Sequence, residues 1–291
     1  MIGEDEKIKI TILVDNNTLI DHYFLGEPGA SYFIQDEGCK ILFDVGYSDV
    51  FIKNAQKMNI HFRDLDYLVL SHGHLDHTWG LTSLIKYYIE ASIEKIDYNK
   101  LTVVTHPSSF LTKVDSFYKD KNLKQIGSII SQEELSKHFK MKLSKEPLWL
   151  TDRLVFLGEI ERKNNFEAKK PIGKVIKDDF EEDDYSIDDS ALAYRSSKGL
   201  VIITGCSHSG ICNIVEYAKK ICRDDRIMDI VGGFHLLNPE KKQLKGTLKY
   251  LEKIKPYEVH ACHCTDLKSK IALSQVTNLK ELGVGQTLKY K

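Results

Sequence analysis

The chain has 291 residues, of which 42% are hydrophobic, so it can bury a sizeable core and is too apolar for a disordered protein. Its 41 lysine and arginine residues balance 42 aspartate and glutamate residues, which predicts no bulk attraction to nucleic acid or to an anionic membrane. The sequence shows neither the apolar core of a signal peptide nor a segment long enough to span a bilayer, so we expect a cytoplasmic protein with no membrane partner.

Short apolar segments rich in β-branched and aromatic residues predict strands along the chain, and segments with apolar residues three or four apart predict helices between them. In chain order, the predicted strands are KIKITILVD, SYFIQ, KILFDVG, DYLVLSHG, LTVVTHP, RLVFLGEI, ALAYR, LVIITGC, DIVGGFH and EVHACH. The predicted helices are SDVFIKNAQKMN, LTSLIKYYIE, ICNIVEYAKKIC and KGTLKYLEKIK. Strands dominate the first part and alternate with helices later, which predicts a layered α/β sandwich rather than a simple Rossmann fold.

The least regular part of the sequence runs from about Lys140 to Ser190. It contains the acidic run KDDFEEDDYSIDD, whose carboxylates would be costly to bury, and we therefore predict a solvated loop there. The alternative interpretation is a flap or a cation-attracting rim over a site.

The cysteines are spread along the chain, at Cys39, Cys206, Cys212, Cys222, Cys262 and Cys264. They form no CxxC pair and no regular disulfide spacing, so we predict reduced and mostly buried thiols. An iron–sulfur cluster is the alternative, although the usual spacings of its ligands are absent.

The segment LSHGHLDHT concentrates three histidines and an aspartate directly after a predicted strand. On a helix, His72 and His74 would point to nearly opposite sides, whereas on an extended segment His72, His74 and Asp76 share one side. Gly73 permits a tight turn, and a bend after it would aim Asp76 and His77 at a second ion. Imidazole and carboxylate ligands at this density suit zinc, iron or manganese.

Other histidines follow other predicted strands, and sites in open α/β sheets lie at the carboxyl ends of strands. The candidate ligands of this kind are His208, His235, His260 and His263. The remaining histidines are predicted to be surface or structural residues, namely His22, His61, His106 and His138. Of these, His106 also ends a predicted strand, which keeps it as a weaker candidate for a pocket residue.

The motif HGHLDH, preceded by FDVG and followed by TGCSHSG and HCT, resembles the metallo-β-lactamase superfamily, whose HxHxDH motif it matches in full. The wider pattern, from GASYFIQ and KILFDVGYSDVFIKNA to VGGFHL and HCTD, is similar to the subgroup named for 7,8-dihydropterin-6-yl-methyl-4-(β-D-ribofuranosyl)aminobenzene-5′-phosphate synthase. The resemblance implies an α/β fold, the four-layer αββα sandwich, formed by a single domain over residues 1–291. A less regular insertion or lid is expected around residues 86–190.

The resemblance also implies two divalent metal ions, zinc before iron or manganese, each with its own set of ligands. The first ion would be held by His72, His74 and His208, and the second by Asp76, His77 and His263. Asp44, in FDVG, would orient a ligand histidine. His235 would line the pocket as a proton donor or substrate contact.

The chain departs from the superfamily pattern at two positions. Many superfamily hydrolases bridge their metals with the aspartate of a late TGD sequence, whereas here Thr204 and Gly205 precede Cys206. Either Cys206 faces a metal, or the bridge is only water or hydroxide and Cys206 is packed, and we expect the second. Trp79 replaces a usual glycine, and it could shape substrate access or pack on the next helix.

The expected activity is metal-dependent hydrolysis, in which two ions share a bridging hydroxide that attacks an ester, lactone, thioester or phosphoester. Asp76 would bind a metal and accept a proton from the nucleophile. The subgroup's name suggests a small substrate that is phosphorylated or pterin-related, and the balanced charge argues against nucleic acid. We expect the region from Lys86 to Ser190 to select this substrate.

Three alternatives remain open for the same residues. The chain could be a di-iron or iron–sulfur redox protein, although such proteins typically need further carboxylate ligands. It could also be a metal-binding protein without catalysis. Turnover of generic phosphodiesters or lactones that disappears with a chelator would separate the hydrolase from this alternative. Serine hydrolysis is the weakest of the three, because the G-x-S-x-G motif requires a glycine where Ser209 stands.

Overall fold

Two large β-sheets and a smaller third sheet form the frame of the computed structural model, which describes residues 8–115, 124–177 and 180–291. In chain order, the strands are β1 (Ile8–Val14), β2 (Ser31–Asp36), β3 (Cys39–Phe43), β4 (Tyr67–Val69), β5 (Thr102–Thr105), β6 (Thr112–Asp115), β7 (Lys124–Gln125), β8 (Lys140–Leu143), β9 (Leu148–Trp149), β10 (Leu154–Phe156), β11 (Gly173–Lys177), β12 (Phe180–Asp184), β13 (Ala191–Ser196), β14 (Gly199–Thr204), β15 (Ile227–Gly233), β16 (Glu258–Cys262) and β17 (Thr287–Tyr290). The helices are α1 (Val50–Lys57), α2 (Leu75–Thr78), α3 (Leu81–Ile93), α4 (Gln132–Ser136), α5 (Ile211–Cys222), α6 (Lys241–Ile254) and α7 (Leu267–Ser274).

The strand order shows how the chain builds each sheet. The first sheet has the order β17-β1-β2-β3-β4-β5-β8, the second β16-β15-β14-β13-β10-β9 and the third β12-β11-β6-β7. Strands β3, β4, β5 and β8 run parallel in the first sheet, as do β14, β15 and β16 in the second. Since parallel strands end at the same edge, the loops that follow them meet there.

Alternating side chains along the strands explain why the two large sheets pack face to face. On β14, Val201 and Ile203 belong to the core between the sheets, whereas Leu200 and Ile202 belong to the core beneath the helices. This period of two places successive side chains on opposite faces of the sheet. Both faces of the strand are therefore apolar, as in a sheet that is covered on both sides.

Helices cover the outer face of each large sheet. Phe51 of α1 and Leu84 of α3 pack on the first sheet, and Ile214 of α5 and Leu251 of α6 pack on the second. The layers therefore run helix, sheet, sheet, helix, which confirms the predicted four-layer αββα sandwich.

Every strand and helix predicted from the sequence is present. The region expected to be less regular, residues 86–190, nevertheless contains β5 to β12 and α4. The strands of this region that the sequence does not predict are two to five residues long and partly exposed. They contain too few apolar residues to show a recognisable pattern.

The acidic run KDDFEEDDYSIDD is the clearest error of the sequence prediction. Part of it forms β12 of the third sheet, and Asp184, Asp188 and Asp189 are each at most 3% exposed. The predicted solvated loop is therefore wrong for residues 180–184, which form a strand, and for these buried carboxylates, while Asp178 and Asp179 lie outside the described residues. Buried carboxylates require hydrogen bonds or a cation, and they find both here.

All described cysteines are free thiols, and Cys206, Cys212, Cys222 and Cys262 are buried, as predicted. Within the described residues, no helix is both long and apolar enough to cross a bilayer.

Candidate metal centre

The histidine-rich segment after β4 lies at the edge where the parallel strands end. His74 is extended (φ −74°, ψ 157°) and directly precedes α2, so Asp76 and His77 lie on a helical turn. The predicted bend is present, but the prediction that Asp76 continues the extended face of His72 is wrong. The turn instead directs Asp76 and His77 to a second group of ligands.

Gly73 is needed for close approach rather than for turning. A Cβ atom at this position would lie 1.8 Å from the carbonyl oxygen of Ser109, a distance that no side chain tolerates. Its backbone N–H donates to Asp188 Oδ2 at 2.8 Å. Contact with neighbouring backbone therefore fixes the spacing between His72 and His74.

The structure brings together the three imidazoles expected at the first metal. His208 Nε2 lies 3.2 Å from His72 Nε2 and 3.1 Å from His74 Nδ1. His208 Nε2 carries either one proton or one lone pair, so it can form a good hydrogen bond with only one of these two nitrogens. A cation at this position would accept a lone pair from all three rings.

A second group contains the residues expected at the second metal. Asp76 Oδ2 lies 3.6 Å from His77 Nε2 and 3.3 Å from His263 Nε2. The ligand atoms of Asp76, His77, His263 and Cys206 all lie within 4.8 Å of one another. Nitrogen, oxygen and sulfur donors at these distances suit zinc or iron.

Cys206 is buried, and it packs between the two groups with its Sγ atom facing their ligand atoms. Its Sγ atom is 3.2 Å from His77 Nε2 and 3.1 Å from His263 Nε2. The same sulfur is also within 4.8 Å of the ligand nitrogens of His72 and His208. Cys206 thus stands where the superfamily pattern has its bridging aspartate.

Hydrogen bonds fix the ring orientation of three ligands through Nδ1, at 2.7–2.9 Å: His72 to Ser71 Oγ, His77 to Asp44 Oδ2 and His263 to Asn16 Oδ1. Donation from Nδ1–H leaves the Nε2 lone pair directed at the ligand groups. Asp44 also accepts from the N–H and the hydroxyl of Ser71, each at 2.7 Å. The role expected for Asp44 agrees with this geometry.

Four residues of the site adopt the left-handed backbone conformation, with φ between 48° and 60°: Asp44, Ser207, His235 and His263. Each such non-glycine residue costs roughly 1–3 kcal/mol, and the surrounding structure must offset that cost. Such residues cluster where side chains must be aimed precisely at a ligand, and here they follow four different strands.

The third sheet supplies contacts to the first group that the sequence did not predict. His74 presents Nδ1 to the group, and its Nε2 lies 3.6 Å from Asp184 Oδ2. Lys113 of β6 is 1% exposed and pairs with Asp188 at 2.6 Å and with Asp184 at 3.9 Å. A buried lysine, two carboxylates and Gly73 therefore hold this side of the centre.

Burial and neighbouring charges set the protonation of the ligands. Burial lowers the pKa of His72 and of His208, and the neighbouring imidazoles lower both further, so these rings are neutral at pH 7. Burial raises the pKa of Asp76, but His77 and His263 outweigh it and bring the pKa below its usual range. Neutral imidazole and ionised carboxylate are the forms that bind metal. His77 differs: burial lowers its pKa, but Asp76 and Asp44 outweigh burial and raise it to about 9, so a bound ion would have to displace a proton from this ring.

His235 follows β15 and lies beside the first group. Its ring centre is 4.4 Å from that of His208, and its backbone N–H donates to Cys264 Sγ at 3.2 Å. The Nδ1 atoms of His235 and His208 are buried and have no hydrogen-bond partner within the described part of the chain. Both residues line a cavity of about 500 Å³ together with Phe166 and Lys169.

The other candidate histidines do not join the two groups. His260 lies within β16 and pairs with Asp229 at 2.8 Å, and His106 pairs with Glu159 at 3.2 Å. His22, His61 and His138 are exposed, as predicted.

Trp79 is half-buried and occupies the turn after α2. It stacks on Tyr47 with ring centres 5.1 Å apart, and its indole N–H donates to the Gly127 carbonyl at 2.9 Å. Trp79 therefore ties the ligand segment to residues beside the third sheet.

Comparison with known proteins agrees with this fold. The sequence profile described as the metallo-beta-lactamase superfamily matches residues 25–213. A 7,8-dihydropterin-6-methyl-4-(beta-D-ribofuranosyl)-aminobenzene-5'-phosphate synthase of Methanocaldococcus jannaschii is 32% identical over 287 residues, which cover 92% of this chain and 91% of the relative. An uncharacterised protein of the same organism is 32% identical over 283 residues, covering 96% and 99% of the two chains.

The fold is also similar to solved structures. A metal-dependent hydrolase of the β-lactamase superfamily superposes with a TM-score of 0.78 at 25% identity, covering 97% of this chain and 98% of the other. A diphosphatase of the PhnP family shares the fold at a TM-score of 0.52 and 14% identity, covering 98% and 97%. The chain belongs to the metallo-β-lactamase superfamily.

Proposed function

We propose that the chain is a metal-dependent hydrolase with a dinuclear site. His72, His74 and His208 would hold the first ion, and Asp76, His77 and His263 the second. The observation that carries this proposal is the convergence of two ligand groups on either side of Cys206. Most of these side chains are buried and already oriented by further hydrogen bonds.

The donor set fits thiophilic divalent ions. His208 faces two other imidazoles at 3.1–3.2 Å, and a bound cation would accept a lone pair from each ring. Cys206 adds sulfur, which favours zinc or iron over manganese. We therefore propose zinc first and iron second, with Cys206 as an additional ligand between the two groups.

When bound, such ions would polarise an ester or phosphoester and lower the pKa of water towards neutrality. Asp76 is 27% exposed at its side chain, so its carboxylate can also accept a proton from an incoming nucleophile. His235 lines the cavity beside His208 and would donate a proton to the leaving group or hold the substrate.

The cavity of about 500 Å³ is of the size that binds small molecules. Phe166 and Leu237 give it apolar walls, while Lys169 and Gln243 can contact polar or anionic groups. We propose a small ester, lactone, thioester or phosphoester as the substrate. The name of the curated relative supports a phosphorylated or pterin-related compound.

The single-domain organisation is part of the proposal, with the third sheet as the inserted segment over the site. Its residue Asp184 lies 3.6 Å from His74, Lys113 lies behind Asp184, and its neighbour Gly127 pairs with His74. A second candidate function is a synthase reaction on a pterin-related phosphate, favoured by the 32% identity to the relative of that name.

The test is a hydrolysis screen with metal-loaded full-length protein on p-nitrophenyl phosphate, bis-p-nitrophenyl phosphate, a homoserine lactone and a thioester. We expect turnover of at least one class, loss of that turnover with chelator and loss with His208→Ala. Metal uptake without turnover of any class would contradict hydrolysis and leave the synthase reaction as the better candidate.

A further inference from the structure

A second cavity, larger than the one at the metal centre, lies between α5 and α6. Its volume is about 790 Å³, and residues 161–166 close its third side. Cys212 and Tyr217 of α5 form part of its buried floor. None of its lining residues belongs to the two ligand groups, although Phe166 also lines the cavity beside His208.

Aromatic side chains give this cavity flat apolar walls. Phe166 lines it from the connecting segment, Tyr217 from α5 and Tyr250 from α6. Tyr250 is held in place because its hydroxyl donates to Glu216 Oε1 at 2.5 Å. Ring faces at these positions can stack on a planar ligand.

The position of Phe166 explains a glycine in the middle of α6. A Cβ at Gly246 would lie 2.5 Å from the Phe166 ring, so only glycine lets the ring seat against the helix. A glycine inside a helix costs about 1 kcal/mol relative to alanine. Phe166 also lines the cavity beside His208 and His235, so this one side chain borders both cavities.

The rim of the α5–α6 cavity carries an excess of positive charge. Four lysines and two glutamates line it, and Glu161 pairs with both Lys163 and Lys220. Lys249 and Lys253 are exposed, and neither lies within 4.0 Å of a carboxylate oxygen in the described part of the chain. Lys253 interacts with Glu216 of the same cavity only at longer range, so both ammonium groups can still contact an anion.

We propose that the α5–α6 cavity binds a small planar aromatic anion, with the ring between Phe166, Tyr217 and Tyr250 and the anionic group at Lys249 and Lys253. A ring bearing a phosphate, sulfonate or carboxylate has this chemistry. The site is distinct from the metal centre, and its occupant would contact the side chain that separates the two cavities.

The test uses 8-anilinonaphthalene-1-sulfonate, a fluorescent aromatic sulfonate, with the full-length protein and no added metal. We expect saturable binding, weakened about tenfold or more by Lys249→Glu/Lys253→Glu, because two attractive contacts become repulsive. Lys241→Glu/Lys245→Glu is the matched control, since it makes the same charge change on the same helix but outside this cavity. We expect it to weaken binding less than about twofold.

Two further measurements locate the probe. Uncharged N-phenyl-1-naphthylamine should bind equally to the wild type and to Lys249→Glu/Lys253→Glu, and crystals grown with the sulfonate should show it between α5 and α6. Equal weakening by the two double variants would overturn the proposal, as would sulfonate density confined to the cavity at His208. Circular dichroism checks the fold of each variant. If Lys249→Glu/Lys253→Glu fails to fold, Lys249→Ala/Lys253→Ala takes its place in the same binding measurement.

Discussion

The two ligand groups of the centre are built differently. In the second group, His77 and His263 are oriented by Asp44 and Asn16, which follow strands of the first sheet. The first group depends in addition on the third sheet and the acidic run, through Asp184 near His74 and through Asp189, which accepts from the N–H of Ser209 next to His208.

The difference shows that one centre draws on two kinds of support. The second group is held by residues that follow strands of the first sheet, whereas the first group is also coupled to the third sheet. Changes in the third sheet should therefore disturb the first group and leave the second intact. Substitutions on the two sides of the centre test this difference.

The largest effect is expected from removing a ligand. His208→Ala and His263→Ala should each lower kcat/KM about 10³-fold, because a bound divalent ion contributes several kcal/mol to catalysis. Turnover of whichever substrate the screen identifies is the measurement. A variant within about threefold of wild type would exclude that histidine from the centre.

Lys113→Ala should be the most destabilising change in the third sheet. It leaves Asp188 buried without its cation, which costs about 3–5 kcal/mol in the free energy of unfolding. Urea denaturation measures this effect. Lys174→Ala is the control, because its pair with Asp183 at 2.6 Å is on the surface and contributes about 0–1 kcal/mol.

Asp189 should make stability depend on pH. Burial raises its pKa from 3.8 to about 6, so between these values the folded state binds more protons than the unfolded state. Stability therefore falls as pH rises through that window, by about 3 kcal/mol in total. Asp189→Asn should remove this decline in urea unfolding measured at pH values below and above the window.

The control for the pH experiment is Asp183→Asn, an exposed carboxylate of the same acidic run. It should leave the pH dependence unchanged. If Asp189→Asn and Asp183→Asn gave the same profile, Asp189 would not hold its proton in the folded state.

The smallest effects are expected from substitution of the carboxylates that orient the histidine rings. Asp44→Asn should lower metal affinity about 10- to 100-fold, as is usual for a carboxylate that holds a ligand histidine. Asp184→Asn should cost about tenfold or less, because Asp184 lies 3.6 Å from His74 Nε2 while Asp44 lies 2.7 Å from His77 Nδ1. Competition with a chromogenic chelator ranks the two variants, and the reverse order would contradict the asymmetry.

Much of the fold could be predicted from the sequence because the sandwich strands carry long apolar runs. The run LVIITGC, for example, became β14 with both faces buried. The motif HGHLDH identifies four candidate ligands, because imidazole and carboxylate side chains at this density are typical of metal sites.

The remainder depended on contacts between distant segments. The position of Cys206 between the two groups depends on how loops from different sheets meet, which its place in the sequence does not reveal. Asp184 and Lys113 lie 71 residues apart in sequence, and only the third sheet places them beside His74. Acidic residues are usually exposed to solvent, but here the buried ammonium group of Lys113 compensates the charge of the buried Asp188.

The most direct test is the metal content of the full-length protein after loading and desalting, measured by elemental analysis. The same measurement is made on His208→Ala, His263→Ala and Lys113→Ala. We predict about two zinc or iron ions per wild-type chain and about one in each variant, with Lys113→Ala losing the ion of the first group only. A wild type that takes up no metal, or variants that keep two ions, would contradict the dinuclear site.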